Sequence, residues 1–362
     1  MLVSGPWSDR HGRKVPILWC LLLDCLSIIC VGVIYCVSTN HQLGIIYYFL
    51  PSVFYGLSGG AFNFFMLSFS YVGDLSHLEP ETRLVRFSAT ETSLTCGTFV
   101  GYYIAGLVAR NFGDLYVFIF TAAYFLLALV YCLVRIDNIV PQRSVGDGQE
   151  QTWAQKFREV LTLLSKPREG NLRQVILLLC ALFILQETPR GFENTLQVNY
   201  IIDKFDWKSY QLLNLKAISS LFSAVGQFLI FPVLHRLMKV PLMLIGCLTV
   251  FSRVGHYLLF AFPLQSYYLF IAAGVNCLVG VQAILIRSGL ATALPSMELG
   301  TVYAINEIVV TFLPIVLSPL ASSIYRATTC SGCFQGAWAV VASIPITLQL
   351  PVFIVLYFII NN

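Results

Sequence analysis

Long apolar runs separated by short polar segments form the dominant pattern of this chain. A bilayer core of about 30 Å needs about 20 helical residues, and the runs reach that length. Their Leu, Ile, Phe and Val residues are continuous and do not alternate with polar ones, which favours helices over barrel strands. We predict ten spanning helices, near residues 15–37, 44–70, 87–109, 115–134, 174–197, 210–233, 241–262, 267–289, 301–324 and 336–360.

The composition supports an all-α integral membrane protein. Hydrophobic residues make up 57% of the chain, charged residues 11%, and the mean hydropathy is +0.76. Soluble domains carry roughly 25% charged residues. We therefore attribute the net charge of +4 to membrane anchoring and predict no nucleic-acid partner. The chain has no P-loop or H-E-x-x-H motif, and no G-x-S-x-G in a suitable setting, so an enzyme is not predicted.

Most Lys and Arg residues fall on the same side of the membrane as the opening loop. The positive-inside rule then places both termini in the cytoplasm. Residues 1–14 are polar and the first apolar run is long enough to span, so no cleavable signal peptide is predicted.

One long hydrophilic stretch, 135–173, divides the chain into a bundle at 1–134 and a bundle at 174–362. We interpret it as a cytoplasmic linker with an amphipathic helix from Trp153 to Leu164. Contact of its basic residues with anionic lipid headgroups is the alternative.

The pair Cys330 and Cys333 lies in a predicted outside loop, with no second pair to complete a zinc site. A local disulfide and two free thiols both fit this spacing better than a metal. No metal or cofactor is predicted.

A short repeat opens two of the predicted helices. Lys14-Val15-Pro16 precedes the first and Lys239-Val240-Pro241 the seventh, so six spans separate the copies. Parallel repeats of six helices are typical of two-bundle transporters. Under this interpretation the first bundle has four of its six helices here, and two are expected before residue 1. Chance similarity of the two segments remains an alternative.

The opening loop also carries a motif. Gly5, Asp9, Arg10, Gly12, Arg13 and Lys14 form the pattern G-x-x-x-D-R-x-G-R-K ahead of a spanning helix. This pattern resembles the loop between the second and third helices of the major facilitator superfamily, whose two-bundle fold has twelve spans. The resemblance implies that ten of the twelve are present here.

Further segments resemble one branch, the proton-coupled folate transporter family (solute carrier family 46). They are Tyr71-Val72-Gly73-Asp74, Arg86 with Glu91, Ile286-Arg287 and Glu298-Leu299-Gly300-Thr301-Val302-Tyr303-Ala304. The resemblance implies a symporter that imports folate-like or other small organic anions by alternating access, with protons as partners and the proton gradient as driving force. Cyclic dinucleotides and peptidoglycan fragments are alternative solutes. A non-transporting, receptor-like product is an alternative of another class.

The resemblance assigns Glu91 to proton coupling. A structural carboxylate hydrogen-bonded to a neighbouring helix is the alternative. An ionisable group in a span is costly and should face the bundle interior or a wet cavity. Arg287 is the expected substrate-binding cation, because a guanidinium fork suits a carboxylate or phosphate. An anchor at the membrane edge is the alternative for Arg287.

The stretch from Gln186 to Asn194 places Pro189 and Gly191 among three charges. Glu187 and Arg190 are spaced to pair along one helix face, and we assign both to substrate binding. Folate-transporting members have a histidine near this place, and this chain has none there. In this respect the chain departs from the folate-transporting members. Lys216, Arg253 and Glu307 are further charges in spans, and the sequence names no partner for them.

The resemblance assigns Asp9, Arg13, Asp74 and Arg86 to gating at the cytoplasmic side. In the superfamily such residues break and remake charge pairs as the carrier turns over. A solvated surface cluster is the alternative. The plasma membrane is the expected location, with an endosomal or lysosomal membrane as the alternative.

Overall fold

A computed structural model describes residues 7–8, 12–39, 44–76, 83–138, 171–294, 296–330 and 334–361. Within these ranges every regular element is helical. Ten segments are long and apolar enough to cross a membrane, and each overlaps one of the ten predicted spans. The prediction of an all-α chain with ten spanning segments is therefore confirmed. The predicted helix at Trp153–Leu164 lies outside the described residues.

Contacts between residues of the chain divide the protein into two compact units. Among the described residues, five α-helices precede the linker: α1 (Lys14–Ser38), α2 (Phe49–Ser58), α3 (Gly60–Ser76), α4 (Arg83–Phe112) and α5 (Asp114–Arg135). They form the first unit, except that residues 91–102 of α4 belong to the second. In the first unit α1 packs against α2, α3 and α5. Its core joins Ile17, Cys20, Leu21, Leu67 and Cys132.

The second predicted span is broken in its middle, between α2 and α3. Gly59 and Gly60 have φ of +76° and +66°, a region that strains any residue with a Cβ. The Ser58 hydroxyl accepts a hydrogen bond from the Gly60 N–H at 2.9 Å, and it donates to Asp24 at 2.5 Å. Asp24 is buried in α1, so this acid inside a span is compensated by a side chain at the break.

In the part of the chain described after the linker there are nine α-helices: α6 (Leu172–Phe192), α7 (Val198–Phe205), α8 (Ser209–Val225), α9 (Leu242–Ala261), α10 (Tyr267–Val275), α11 (Val279–Ala293), α12 (Ser296–Cys330), α13 (Ala337–Thr347) and α14 (Gln349–Asn361). In the second unit α6 packs against α11, α12, α13 and α14, and α9 packs against α10, α11, α13 and α14. Glu187 and Arg190 of α6 and Arg253 of α9, all discussed below, lie on these two helices.

Several spans of the second unit leave α-helical geometry where polar side chains gather. A wide π-helical turn, Glu193–Gln197, follows Pro189 and joins α6 to α7. A second wide turn, Gly226–Ile230, follows α8, and a 3₁₀ turn, Asn276–Leu278, joins α10 to α11. Wide turns inside membrane helices often occur at functional sites.

The two copies of the Lys-Val-Pro repeat both lead into a spanning helix, but they do so differently. In the first copy α1 begins at Lys14 and contains Pro16 in its first turn. In the second copy Lys239 has φ of +53°, and α9 begins only after Pro241. Proline fits both places, since the first helical turn needs no N–H from it. The sequence similarity therefore does not extend to the same local backbone.

Gly226 gives a direct test of close packing in the second unit. A Cβ there would overlap the backbone carbonyl of Cys277, which cannot swing away as a side chain could. We expect Gly226→Ala to cost about 1–3 kcal/mol of stability through overpacking. The measurement is thermal unfolding of the purified protein in detergent.

Gly101 is the matched control, because no described atom lies within 4 Å of a Cβ built there. In Gly101→Ala the same methyl group enters open space beside a helix. We therefore expect an unchanged or slightly higher midpoint of thermal unfolding. Equal midpoints for both variants would contradict the close approach at Gly226.

Candidate functional site

Glu91 and Arg287 form an ion pair inside the second unit. Glu91 lies on α4, in the segment that belongs to this unit, and Arg287 lies on α11. Their side chains are 20% and 28% exposed. Both positions are in apolar spanning helices, where a lone charge would be costly and mutual pairing lowers that cost. The predicted proton-coupling acid and the predicted substrate-binding cation are thus each other's partner.

The neighbouring turn of α4 is polar as well. Thr95, one turn after Glu91, donates to the Glu91 backbone carbonyl at 3.1 Å. The Gln227 amide, on the wide turn after α8, donates to the Thr95 hydroxyl at 3.3 Å. Gln227 therefore adds a second polar contact, beside the ion pair, between α4 and the helices after the linker.

Glu187 and Arg190 were predicted to pair, and the structure confirms their pairing. Arg190 Nη1 lies 2.8 Å from Glu187 Oε2 across one turn of α6. The Glu187 side chain is 6% exposed and that of Arg190 is 47% exposed. The buried carboxylate also accepts a hydrogen bond from the Gln186 amide at 3.3 Å. The acid faces the interior of the unit while the base reaches its surface.

Arg253 lies at the centre of a buried polar network that the sequence did not predict. Its guanidinium donates to the Gln186 backbone carbonyl at 3.2 and 3.3 Å and to the Gln282 side chain at 3.2 Å. Gln282 in turn donates to Gln349. The network joins α6, α9, α11 and α14, and each of these four side chains is at most 3% exposed. Among the described residues no carboxylate forms an ion pair with Arg253.

Glu193 begins the wide turn after α6 and lies beside two ring side chains of α9. The Tyr257 hydroxyl donates to Glu193 Oε1 at 2.5 Å, and His256 Nε2 lies 3.9 Å from the same oxygen. The other ring nitrogen of His256 lies 2.9 Å from the Ala272 carbonyl. The positive charges of Lys216 and Arg253 also act on Glu193. Sequence reasoning found no histidine in this region, because the nearest one comes from a different helix.

Lys216 of α8 donates a hydrogen bond to the Gln197 side chain. Both residues line a cavity of about 420 Å³ in the second unit. Gln197 is buried, whereas Lys216 is partly exposed.

The predicted gating residues lie in the first unit or outside the described residues. Arg13 is buried and donates to the Ser8 hydroxyl at 2.5 Å. Arg86 donates to the Leu75 carbonyl near the end of α3 at 2.8 Å. Asp74 is on α3, but its side chain lies outside the description, as does the whole of Asp9.

Two further predictions concern side chains or residues that the structure does not describe. The Glu307 side chain is not described. Cys333 and the Cys330 side chain are likewise outside, so their bonding stays a prediction. Within the described ranges no group of His, Cys, Asp and Glu residues could hold a metal ion.

Comparison with known proteins places these features in a family. The family model of the Major Facilitator Superfamily matches residues 1–319. A Drosophila melanogaster protein named "Probable peptidoglycan muropeptide transporter SLC46" is 22% identical over 336 residues. That match covers 90% of this chain and 64% of the relative, so the chain spans less than two thirds of its relative's length. It supports the resemblance to solute carrier family 46.

Solved structures of transporters share the fold. The human organic anion transporter MFSD10 matches with a TM-score of 0.65 at 17% identity, covering 99% of this chain and 79% of the other. A peptide transporter POT matches with a TM-score of 0.70 at 11% identity, covering 99% and 83%. The Escherichia coli fucose:proton symporter matches with a TM-score of 0.59 at 11% identity, covering 99% and 86%. The protein is an integral, multi-pass membrane protein, and it belongs to the Major Facilitator Superfamily.

Proposed function

We propose that this protein is a secondary transporter that imports small organic anions together with protons. The observation that carries the proposal is the ion pair between Glu91 and Arg287 in apolar spanning helices. One member can take up a proton and the other holds a permanent positive charge. A pair of this kind can exchange one partner for another as the proton arrives and leaves.

The exchange links the proton to the solute. At an acidic outer face a proton neutralises Glu91, and Arg287 loses its counter-ion. The guanidinium fork then donates hydrogen bonds to two oxygens of a solute carboxylate or phosphate, in place of the Glu91 carboxylate. At the neutral inner face Glu91 releases its proton, regains Arg287 and displaces the solute. Because each charge is satisfied in both states, the empty and loaded carriers avoid an uncompensated charge in the membrane.

The solute class in this proposal is an organic anion, folate-like or otherwise. Peptidoglycan fragments are the second candidate, favoured by the name of the Drosophila relative. Cyclic dinucleotides fit the same guanidinium chemistry. All three carry the negative charge that the Arg287 site requires.

The remaining roles belong to the same proposal. Arg190 and Glu187 would contact the solute near the wide turn after α6, where Arg190 is exposed. Asp9, Arg13, Asp74 and Arg86 would form the cytoplasmic gate, with solute movement by alternating access. Both termini would be cytoplasmic, in the plasma membrane or an endosomal or lysosomal membrane.

The experiment is solute uptake by the full-length protein in liposomes. Labelled folate, muramyl dipeptide and a cyclic dinucleotide are each offered at an outside pH of about 5.5 and about 7.5, with the inside at about 7.5. We expect at least one anion to accumulate only at the acidic outside pH, because the inward proton gradient drives the coupled step. Liposomes without protein provide the background. Uptake that is equal at both pH values would refute proton coupling, and no uptake of any anion would favour a non-transporting role.

A further inference from the structure

A mostly apolar cavity with one cation lies in the second unit. Its volume is about 420 Å³, within the usual range for small-molecule sites. Neither Glu91 nor Arg287 lines it. Apolar side chains form most of its wall and polar ones the rest: Val198, Ile201, Ile202, Leu212, Leu213 and Leu215, with Tyr102, Gln197, Ser209 and Lys216.

Lys216 has a neutral partner where a counter-ion would be expected. Its ammonium donates to the Gln197 side-chain oxygen, which compensates a charge only in part. Within the described residues no carboxylate lies at ion-pair distance from Lys216. A cation in a spanning helix is costly unless a counter-charge or water reaches it. The cavity is the open space from which either can approach.

Glu193, an acid on which the charge of Lys216 acts, is already engaged. The positive charge of Lys216 acts on Glu193, but the Glu193 carboxylate accepts its hydrogen bond from Tyr257, at 2.5 Å, and lies 3.9 Å from His256. Arg253 also acts on Glu193. In this group Lys216 and Arg253 both act on one carboxylate, and of these two basic residues Lys216 is the one that lines the cavity.

We propose that this cavity is an anion-binding site in which Lys216 binds a carboxylate or phosphate and the apolar wall holds an aromatic or aliphatic body. It deepens the proposed function by naming a recognition site for the transported anion, and it rests on that function for its physiological role. Arg287 needs protonation of Glu91 before it can take an anion. Lys216 needs no such step, so this site can bind the solute before the proton arrives.

The test is equilibrium binding to the purified full-length protein in phosphatidylcholine nanodiscs, with no pH gradient. The probes are 2-naphthoate, an anion with an aromatic body, and 2-naphthamide, its neutral analogue. We expect Lys216→Met to weaken 2-naphthoate binding by at least about tenfold and to change 2-naphthamide binding by less than about twofold. Lys216→Arg keeps the charge and should retain 2-naphthoate binding. Unchanged 2-naphthoate binding in Lys216→Met overturns the proposal.

A second variant keeps the test valid if removal of the charge disturbs folding. Leu212→Trp fills the cavity from its apolar wall and leaves Lys216 in place. It should abolish binding of both probes while the thermal midpoint is maintained, and normal binding in this variant overturns the site. Phosphatidylglycerol added to the nanodiscs should leave 2-naphthoate binding unchanged. Competition by that lipid would assign the site to a headgroup and overturn the solute proposal.

The outcome is independent of the transport experiment. Binding without a pH gradient does not require proton coupling, so 2-naphthoate binding with no acid-driven uptake would refute only the proposed function. Acid-driven uptake with no Lys216-dependent binding would refute only this site.

Discussion

Replacement of Glu91 with glutamine is expected to abolish proton-driven accumulation of the anion while leaving equilibration across the membrane. One proton moving down a gradient of about two pH units supplies about 2.7 kcal/mol, enough to concentrate a solute about 100-fold. The amide cannot take up or release a proton, and it leaves Arg287 without the counter-ion it has in the structure. The measurement is the inside-to-outside ratio of labelled solute at steady state in liposomes, with the membrane potential clamped.

Asp203→Asn is the matched control. Asp203 is an exposed acid at the end of α7, where its carboxylate accepts a hydrogen bond from Tyr325 at 2.7 Å. The same acid-to-amide change at that position should leave the accumulation ratio as in the wild type. If Glu91→Gln accumulates the anion like the wild type, the coupling role assigned to Glu91 is wrong. If both variants lose accumulation, the loss reflects general damage and the role assigned to Glu91 is again unsupported.

Arg253→Met should be strongly destabilising. Methionine has a similar stem but cannot donate a hydrogen bond. The Gln186 carbonyl and the Gln282 side-chain oxygen therefore lose the hydrogen bonds from Arg253 in the buried interior of the unit. Each unsatisfied buried acceptor costs about 1–3 kcal/mol, so for the two acceptors we expect a loss of about 2–6 kcal/mol. The Gln282 to Gln349 bond depends on the same arrangement and should weaken with it. Thermal unfolding in detergent measures the loss, with size-exclusion profiles to show aggregation.

Arg110→Met makes the same substitution on an exposed arginine in the last turn of α4. We expect this substitution to change the midpoint of thermal unfolding little. Arg253→Lys keeps the charge but loses the planar fork, so it should fall between the wild type and Arg253→Met. A midpoint for Arg253→Met equal to that of Arg110→Met would show that the buried network contributes nothing to stability.

The local features of the chain could be predicted well from its sequence. The spanning segments follow from apolar runs, because helix length and membrane thickness fix each other. The pair of Glu187 and Arg190 follows from their spacing, since residues three apart share a helix face. The break at Gly59 and Gly60 was not predicted, although two adjacent glycines inside a span are a signal that could have indicated it.

The partners of distant charges could not be predicted in this way. Arg86 is only five residues from Glu91, but its guanidinium donates to the Leu75 carbonyl, and Glu91 pairs with Arg287 of another helix. The fifth predicted span, 174–197, has no histidine, yet His256 of α9 lies beside Glu193. The sequence around Asp24 did not indicate that its carboxylate contacts Ser58. In each case the partner lies on another helix, and helix periodicity carries no information about which helices are neighbours.

The sequence by itself therefore determined that this is an all-helical membrane protein with ten described spans, and its opening motif indicated the superfamily that the family comparison confirmed. The tertiary structure alone decided which charges meet. It joined Glu91 to Arg287, placed Arg253 among amides, and left Lys216 with Gln197 at a cavity. The physical reason is that spanning requires only apolar residues along each helix, whereas the compensation of a buried charge requires a specific neighbour from another helix.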